Sequence, residues 1–308
     1  MEAEQERYVY GHCNKYAVVF LYRYISIYIL LYISFMGEGM VSIDSKTLRQ
    51  IQLIQLEMLL EVDRICKKYS IRYNIIAGTL LGAVRHGGYI PWDDDADVAM
   101  LRPEYERFRK ACRIDLDIER FYFQDHRNTR GYRWGYGKIR RKHTLFLREH
   151  QEHMPYEQGI FIDIFPLDGV PDNYLLRTLK NIQCFCVRKI LWAPVGMIED
   201  KKFWKRQIYK LLYTIPDKKV FAYYQKMIRK ANQKPSRMVR ILMFPTPNNE
   251  YGYYRNWYES SVDTLFEGKI FQGIKDYDSY LTFKFGQYMQ LPPKEQRKVH
   301  SVSKLKVL

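Results

Sequence analysis

The sequence predicts an α+β fold with a mainly helical C-terminal elaboration, and three observations support this. Behind a capping Asp44 or Ser45, Leu48, Ile51, Ile54, Met58, Val62, Ile65 and Tyr69 recur at helical spacing. Short strand-like runs then alternate with helical ones, ending in the continuous apolar run GIFIDIFPLDGVP at 159–171. From Asn173 to about Arg240 the pattern is mainly helical and rich in Lys, Arg, Tyr and Phe.

The first helix is expected to end near Ser70, followed by a short strand in IRYNIIA. Gly78 and Thr79 open a brief helix, LLGAVRH, which Gly87 and Gly88 stop. Pro91 disfavours a helix beyond it, so DDDADVAM at 93–100 begins a second strand. RPEYERFRKACR reads as a helix. GYRWGYGKIR alternates, and TLFLRE follows at hairpin distance. The 159–171 run, bounded by Gly and Pro, has the character of a buried strand. A Pro292-Pro293 break precedes a basic tail. The organisation read from these signals is an N-terminal extension at 1–39, a core at 40–172, and a helical elaboration with a C-terminal motif at 173–308.

The extension is apolar and aromatic from Tyr16 to Met36, but Arg23 interrupts it. The stretch from there to Gly37 is shorter than the ~20 residues that span a bilayer. Glu2, Glu4 and Glu6 argue against a secretory signal. Two expectations stand: a membrane segment anchored by a snorkelling Arg23, or a mis-assigned start with Met40 as the true first residue.

Lys and Arg number 50 against 34 Asp and Glu, a net charge of +16 that favours anionic partners. The five cysteines include no pair of C-x-x-C motifs, which excludes a zinc ribbon and signals no disulfide framework. A reducing, cytoplasmic setting follows, with contact to the inner face of the cell membrane as a further expectation.

Against this basic background Asp93, Asp94, Asp95 and Asp97 stand almost together. On a strand, Asp93, Asp95 and Asp97 share one face while Ala96, Val98 and Met100 pack behind, and Asp94 points elsewhere. Carboxylates at that spacing can converge on one or two divalent cations, and hard oxygen ligands suit Mg²⁺ or Mn²⁺. The competing reading is a solvated turn. Asp163, between Phe161 and Phe165 on its own face, supplies a further acid, whose burial requires either a metal or a salt bridge to Arg or Lys. Asp168, just past Pro166, reads as a turn residue.

The stretch AGTLLGAVRHGGYIPWDDDADVAM closely resembles the signature of the LicD/fukutin family. Supporting matches are CKKYSIRYNIIAGT before it, GIFIDIFPLDG after it and YLTFKFGQYMQLPPKEQR near the C-terminus, so the resemblance runs from Met40 to about His300. It implies a nucleotidyltransferase-like mixed β-sheet with flanking helices. It also implies metal-dependent transfer of a phospho-alcohol, such as phosphocholine, from a CDP-alcohol donor to a hydroxyl of a glycan or lipid-linked saccharide, as in lipopolysaccharide or teichoic acid biosynthesis. On the matching positions, Gly78 and Thr79 correspond to the donor-phosphate turn, and Asp93, Asp95, Asp97 and Asp163 to the acidic metal centre. Asp95, Asp97 and Asp163 are the implied catalytic residues. Ala96 stands where a larger aliphatic residue is common, and a proline often found before Asp276 is missing.

Tyr132, Trp134, Tyr136, Lys138 and Arg140 alternate onto one face of a candidate strand. There Lys138 can reach a phosphate, and the rings can stack a base or enclose a quaternary ammonium; the bland alternative is a half-buried strand face. Arg85, with His86, closes the short helix and can contact donor phosphates or simply complement the helix C-terminus. Lys202, Lys205, Arg206 and Lys210 interleave with Phe203, Trp204, Tyr209, Leu211 and Leu212, which suits peripheral membrane contact or a solvated helix face. Transfer of an NMP group to a small molecule or sugar is the alternative chemistry. Binding of nucleic acid is not expected, because clustered Asp residues repel a phosphate backbone.

Overall fold

The computed structural model describes residues 43–297 and 299–308. The expectations for 1–39 and for a start at Met40 lie outside the described residues. Helix α1 (Ser45–Lys68) starts at Asp44, whose carboxylate accepts the Thr47 N–H at 2.7 Å, and its apolar stripe, Ile51, Met58, Val62 and Ile65, is wholly buried. Strand β1 (Asn74–Ile75) leads into α2 (Ala77–His86). That helix ends where Gly87 takes the left-handed conformation at φ 70° and returns its N–H to Ala83. Strand β2 (Asp97–Leu101) runs into α3 (Arg102–Asp115), which carries Pro103 in its first turn. Strands β3 (Phe121–Gln124), β4 (Gly137–Arg141), β5 (Leu145–Arg148) and β6 (Phe161–Val170) follow.

The helical stretch comprises α4 (Tyr174–Glu199), α5 (Phe203–Tyr213) and α6 (Asp217–Ala231). The chain then returns to the sheet through β7 (Met238–Arg240), β8 (Tyr253–Tyr254), α7 (Asn256–Glu259), β9 (Ser261–Phe266) and β10 (Lys269–Ile274). Helix α8 (Tyr277–Phe285), a 3₁₀ turn at Lys294–Gln296 and β11 (Val302–Lys306) complete the described residues.

Nine strands form one mixed sheet in the order β3-β4-β6-β2-β1-β10-β9, with β7 on β6 and β8 on β7. The β2–β6 and β1–β10 pairs are parallel and the rest antiparallel. All ten residues of β6 are buried, as its unbroken apolar run requires of a central strand. Among the described residues no helix is long and apolar enough to cross a membrane.

Three local expectations are corrected. Residues 144–149 do not form a hairpin with 131–140: β5 pairs with β11, while β4 lies between β3 and β6. The alternating run becomes a strand only at Gly137, so Tyr132, Trp134 and Tyr136 precede it. Asp168 is not a turn residue but a strand residue with 0% exposure, held by a forked pair of hydrogen bonds from Arg102 at 2.8 and 2.6 Å. Pro166 does not end β6, because β4 covers residues 161–164 and β7 covers 168–170. The proline falls between these partners, where its missing N–H costs no ladder bond on that edge.

Candidate active site

Three neighbouring strands set one row of charged side chains. Lys138 on β4 lies opposite Asp163 on β6, and Asp163 lies opposite Asp97 on β2. Residues in register across a sheet share a face, so all three project from the same side. The Lys138 ammonium donates to Asp163 Oδ1, so the salt bridge expected as the bland alternative for Asp163 is present, alongside the adjacent acid. The strand begins at Asp97, but the alternation extends back through its lead-in. Asp93, Asp95 and Asp97 are half-buried, whereas Asp94 and Ala96 are buried on the other side.

Polar groups from distant elements hold this lead-in. Gln52 donates to the carbonyl of Asp93 at 2.9 Å, and Gln55 donates to those of Asp94 and Phe161 at 2.7 and 3.1 Å. The Asp97 N–H donates to the Thr79 hydroxyl at 2.8 Å, and the Asp163 N–H to the Ala96 carbonyl at 2.9 Å. From the C-terminal segment, His300 lies 2.9 Å from Asp94 Oδ1 through Nδ1 and donates its backbone N–H to Oδ2 at 3.1 Å.

The electrostatics divide the acids. Burial, followed by the charges of Asp95, Asp94 and its other acidic neighbours, holds Asp93 well above the usual carboxylate range. Asp97 is also well above it, through burial and then through Asp95 and Asp163, with Lys284 and Lys138 opposing. Asp95 is raised by burial, against the pull of His300. Asp94 goes the other way: burial alone would raise it, but the contacts from His300 outweigh that and lower it. Burial depresses the Lys138 ammonium to about 7, against the attraction of Asp163. Like charges held close in a poorly hydrated setting mark a site that expects positive charge.

Gly78 and Thr79 form the first turn of α2, directly beside the acids. A Cβ on Gly78 would stand 2.6 Å from Asp93 Oδ2, so glycine is what permits this approach. Ala77 before it sits at φ 49°, in the left-handed region, and its N–H donates to the Tyr280 hydroxyl at 3.3 Å. Thr79 holds the backbone of Asp97. Lys284 on α8 donates to the Tyr253 hydroxyl at 3.2 Å and lies close enough to Asp97 to act on its charge. Arg85 is placed differently: its guanidinium donates to the carbonyls of Tyr288 and Gln290 at 2.7 and 3.3 Å, which ties α2 to the C-terminal loop. His86 packs edge-on against Trp92, whose ring also carries the Arg297 guanidinium at 4.6 Å.

The structure therefore brings together Asp93, Asp95, Asp97, Asp163, Lys138, Gly78 and Thr79, and directs Arg85 elsewhere. Among the described residues, as their side chains stand, no three acidic, histidine or cysteine groups close into a ready metal cage. The sequence reading missed Gln52, Gln55, Lys284, His300 and Arg148, the last of which acts on the charges of both Asp94 and Asp95. The two glutamines carried a signal, since they fall on the apolar stripe of α1; Lys284 lies inside the C-terminal stretch that resembles the family and His300 at its end, which marked their place but not their partners, and Arg148 carried none.

The acids thus gather at one end of a mixed sheet, next to a Gly-Thr helix start. Residues 70–181 match the family described as LicD/FKTN/FKRP, nucleotidyltransferase domain. It is 29% identical over 281 residues to the lipopolysaccharide cholinephosphotransferase LicD of Haemophilus influenzae, covering 85% of this chain and 98% of the relative. Shorter matches join it to two uncharacterised rickettsial proteins. One from Rickettsia typhi is 39% identical over 54 residues, 18% of each chain. One from Rickettsia prowazekii is 33% identical over 89 residues, 29% of this chain and 33% of the relative.

Proposed function

We propose that the protein transfers a phospho-alcohol group, phosphocholine or a close analogue, from a CDP-linked donor to a hydroxyl of a cell-surface glycan precursor, with a divalent cation as cofactor. The observation that carries this is the registered row Lys138–Asp163–Asp97 with Asp93 and Asp95 beside it. The relative from Haemophilus influenzae supports phosphocholine as the group moved and lipopolysaccharide as the kind of acceptor.

The donor set fits Mg²⁺ or Mn²⁺ in its chemistry: it consists of carboxylate oxygens whose mutual repulsion Lys138, Lys284 and His300 offset only in part. Asp93, Asp95 and Asp97 would hold the ion, which when bound supplies positive charge against a pyrophosphate as its P–O bond breaks. The chain's own groups do the rest. The first turn of α2, left open by Gly78, presents backbone N–H groups to a phosphate oxygen. Lys138 fixes Asp163 through Oδ1, and Oδ2 takes the proton of the attacking hydroxyl. Thr79, Gln52 and Gln55 keep the acids in place while this happens.

Peripheral contact with the inner face of the membrane is part of the proposal. On α5, Phe203, Trp204 and Leu211 are exposed, with Lys202, Lys205, Arg206 and Lys210 among them, and Leu175 and Leu179 on α4 are exposed as well. Co-sedimentation with anionic vesicles, set against neutral ones, tests this; equal absence from both pellets would refute it. The decisive experiment for the chemistry offers the purified protein a panel of CDP-alcohols with Mg²⁺ or Mn²⁺ and follows CMP. Release of CMP that requires the metal and Asp95 supports the proposal, and release of the free phospho-alcohol, with CMP left on the acceptor, would point to NMP transfer.

A further inference from the structure

Beside the acids lies a cluster of the opposite sign. Three cations surround the buried ring of Phe161: Lys138 Nζ at 3.5 Å, the Arg140 guanidinium carbon at 5.2 Å and that of Arg148 at 5.3 Å from its centroid. Lys138 has Asp163. Arg140 has two neutral acceptors, Gln124 Oε1 at 2.6 Å and the Gly159 carbonyl at 2.8 Å. Among the described residues Arg148 has neither ion pair nor hydrogen bond for its side chain, and its Nε is buried without a partner. The Tyr132 hydroxyl, on a ring that is 1% exposed, is also buried without a partner. Clustered cations with unused donors are expensive unless something anionic joins them.

We infer that Arg148, with Arg140 and Tyr132, forms an anionic subsite that takes a phosphate of the nucleoside diphosphate donor, and that a quaternary ammonium at the other end of the donor binds elsewhere. This rests on the donor chemistry proposed above. Arg148 lies between the two halves of the site: its charge acts on Asp94 and Asp95 on one side, and on Lys138 and Tyr136 on the other. A phosphate held there is next to the acids. The Tyr136 and Phe161 rings are already taken by a cation, because Lys138 stands 5.4 Å from the first and 3.5 Å from the second, so the ammonium is not expected on either. Arg148 itself is set by the C-terminal strand, since Val302 on β11 is its registered partner on β5.

The test measures binding without turnover, by calorimetry on the full chain, with CDP, inorganic phosphate and choline chloride as probes. Arg148→Gln should weaken CDP binding at least tenfold, Arg148→Lys should recover part of it, and thermal stability should hold in both because, among the described residues, the Arg148 side chain makes no ion pair or hydrogen bond. With CDP-choline, KM should rise more than kcat falls. Wild-type affinity for CDP in Arg148→Gln would overturn the subsite, as would failure of the wild type to bind CDP or phosphate. Choline displacing phosphate from the wild type would overturn the placement of the ammonium. If CDP binds through Arg148 but no CDP-alcohol is turned over, the transferase proposal fails while the anionic subsite stands.

Discussion

Replacing Asp97 by Asn should raise the stability of the protein while removing its activity. Asp97 and Asp163 are registered partners on adjacent parallel strands. Neighbouring strands lie ~4.8 Å apart. Two full charges about 5 Å apart repel by roughly 3 kcal/mol at an effective dielectric of about 20. Lys138 and Lys284 offset part of this, and the carboxylates avoid some of it by holding protons, which leaves a net gain of about 1 kcal/mol for the neutral amide. The Thr79 hydroxyl accepts the backbone N–H of residue 97, so that hydrogen bond survives the substitution. For a chain of this size the gain corresponds to a rise in Tm of about 1–2 °C.

The pH dependence follows from the direction of the shift. A carboxyl held well above its usual range in the folded state binds a proton that the unfolded chain has released, so wild-type stability falls as pH rises from the ordinary carboxylate range toward the folded value. Asp97→Asn lacks this loss. Its advantage should be largest at neutral to alkaline pH and should vanish as pH approaches ~4. Scanning calorimetry from pH 4 to 9 without divalent ions checks this, alongside CMP release with Mg²⁺, which should fall at least ~10³-fold. A Tm below that of the wild type at pH 8, or an advantage that grows on acidification, would refute the electrostatic account of the cluster.

The other acids should behave differently. Asp163→Asn removes the ion-pair partner that buried Lys138 has among the described residues and should destabilise by about 2 kcal/mol, more as pH falls below 7, because the ammonium left behind is then charged. Thermal melts across that range check the sign. Asp168→Asn leaves Arg102 buried against a neutral amide and should lower stability by about 3–5 kcal/mol in denaturant titrations, with activity per folded molecule unchanged.

What the sequence revealed, and what it concealed, follows the range of the interactions. The caps of α1 and α2, the burial of β6 and the face shared by Asp93, Asp95 and Asp97 depend on neighbours a few residues apart, and period and turn chemistry record such neighbours. Asp168 was misread because Pro166 and Gly169 beside it imitate a turn, while its actual partner, Arg102, is 66 residues away. The hairpin expected at 131–149 failed for a related reason. Alternation shows that a segment can be a strand but not which edge it pairs with, and β6 claimed β4 while β11 took β5. The pairing of Lys138 with Asp163 was open among phosphate, metal and salt-bridge readings until the register placed them side by side.

The same distinction bears on what holds the acids together. Four aspartates pressed into a short lead-in should drive it open, and only Asp97 within it belongs to a regular strand. The restraint comes from both ends of the chain: Gln52 and Gln55 from α1 grip the carbonyls behind, and His300 grips Asp94 from the far side. Tyr280 and Lys284 on α8 add a hydroxyl at Ala77 and a positive charge near Asp97. None of these five residues falls within the 70–181 stretch that matches the family domain. The match therefore spans the clustered carboxylates, but not everything that keeps them close. A site with this much stored repulsion is therefore held by α1 and by the segment from α8 to β11 as well as by its own strands.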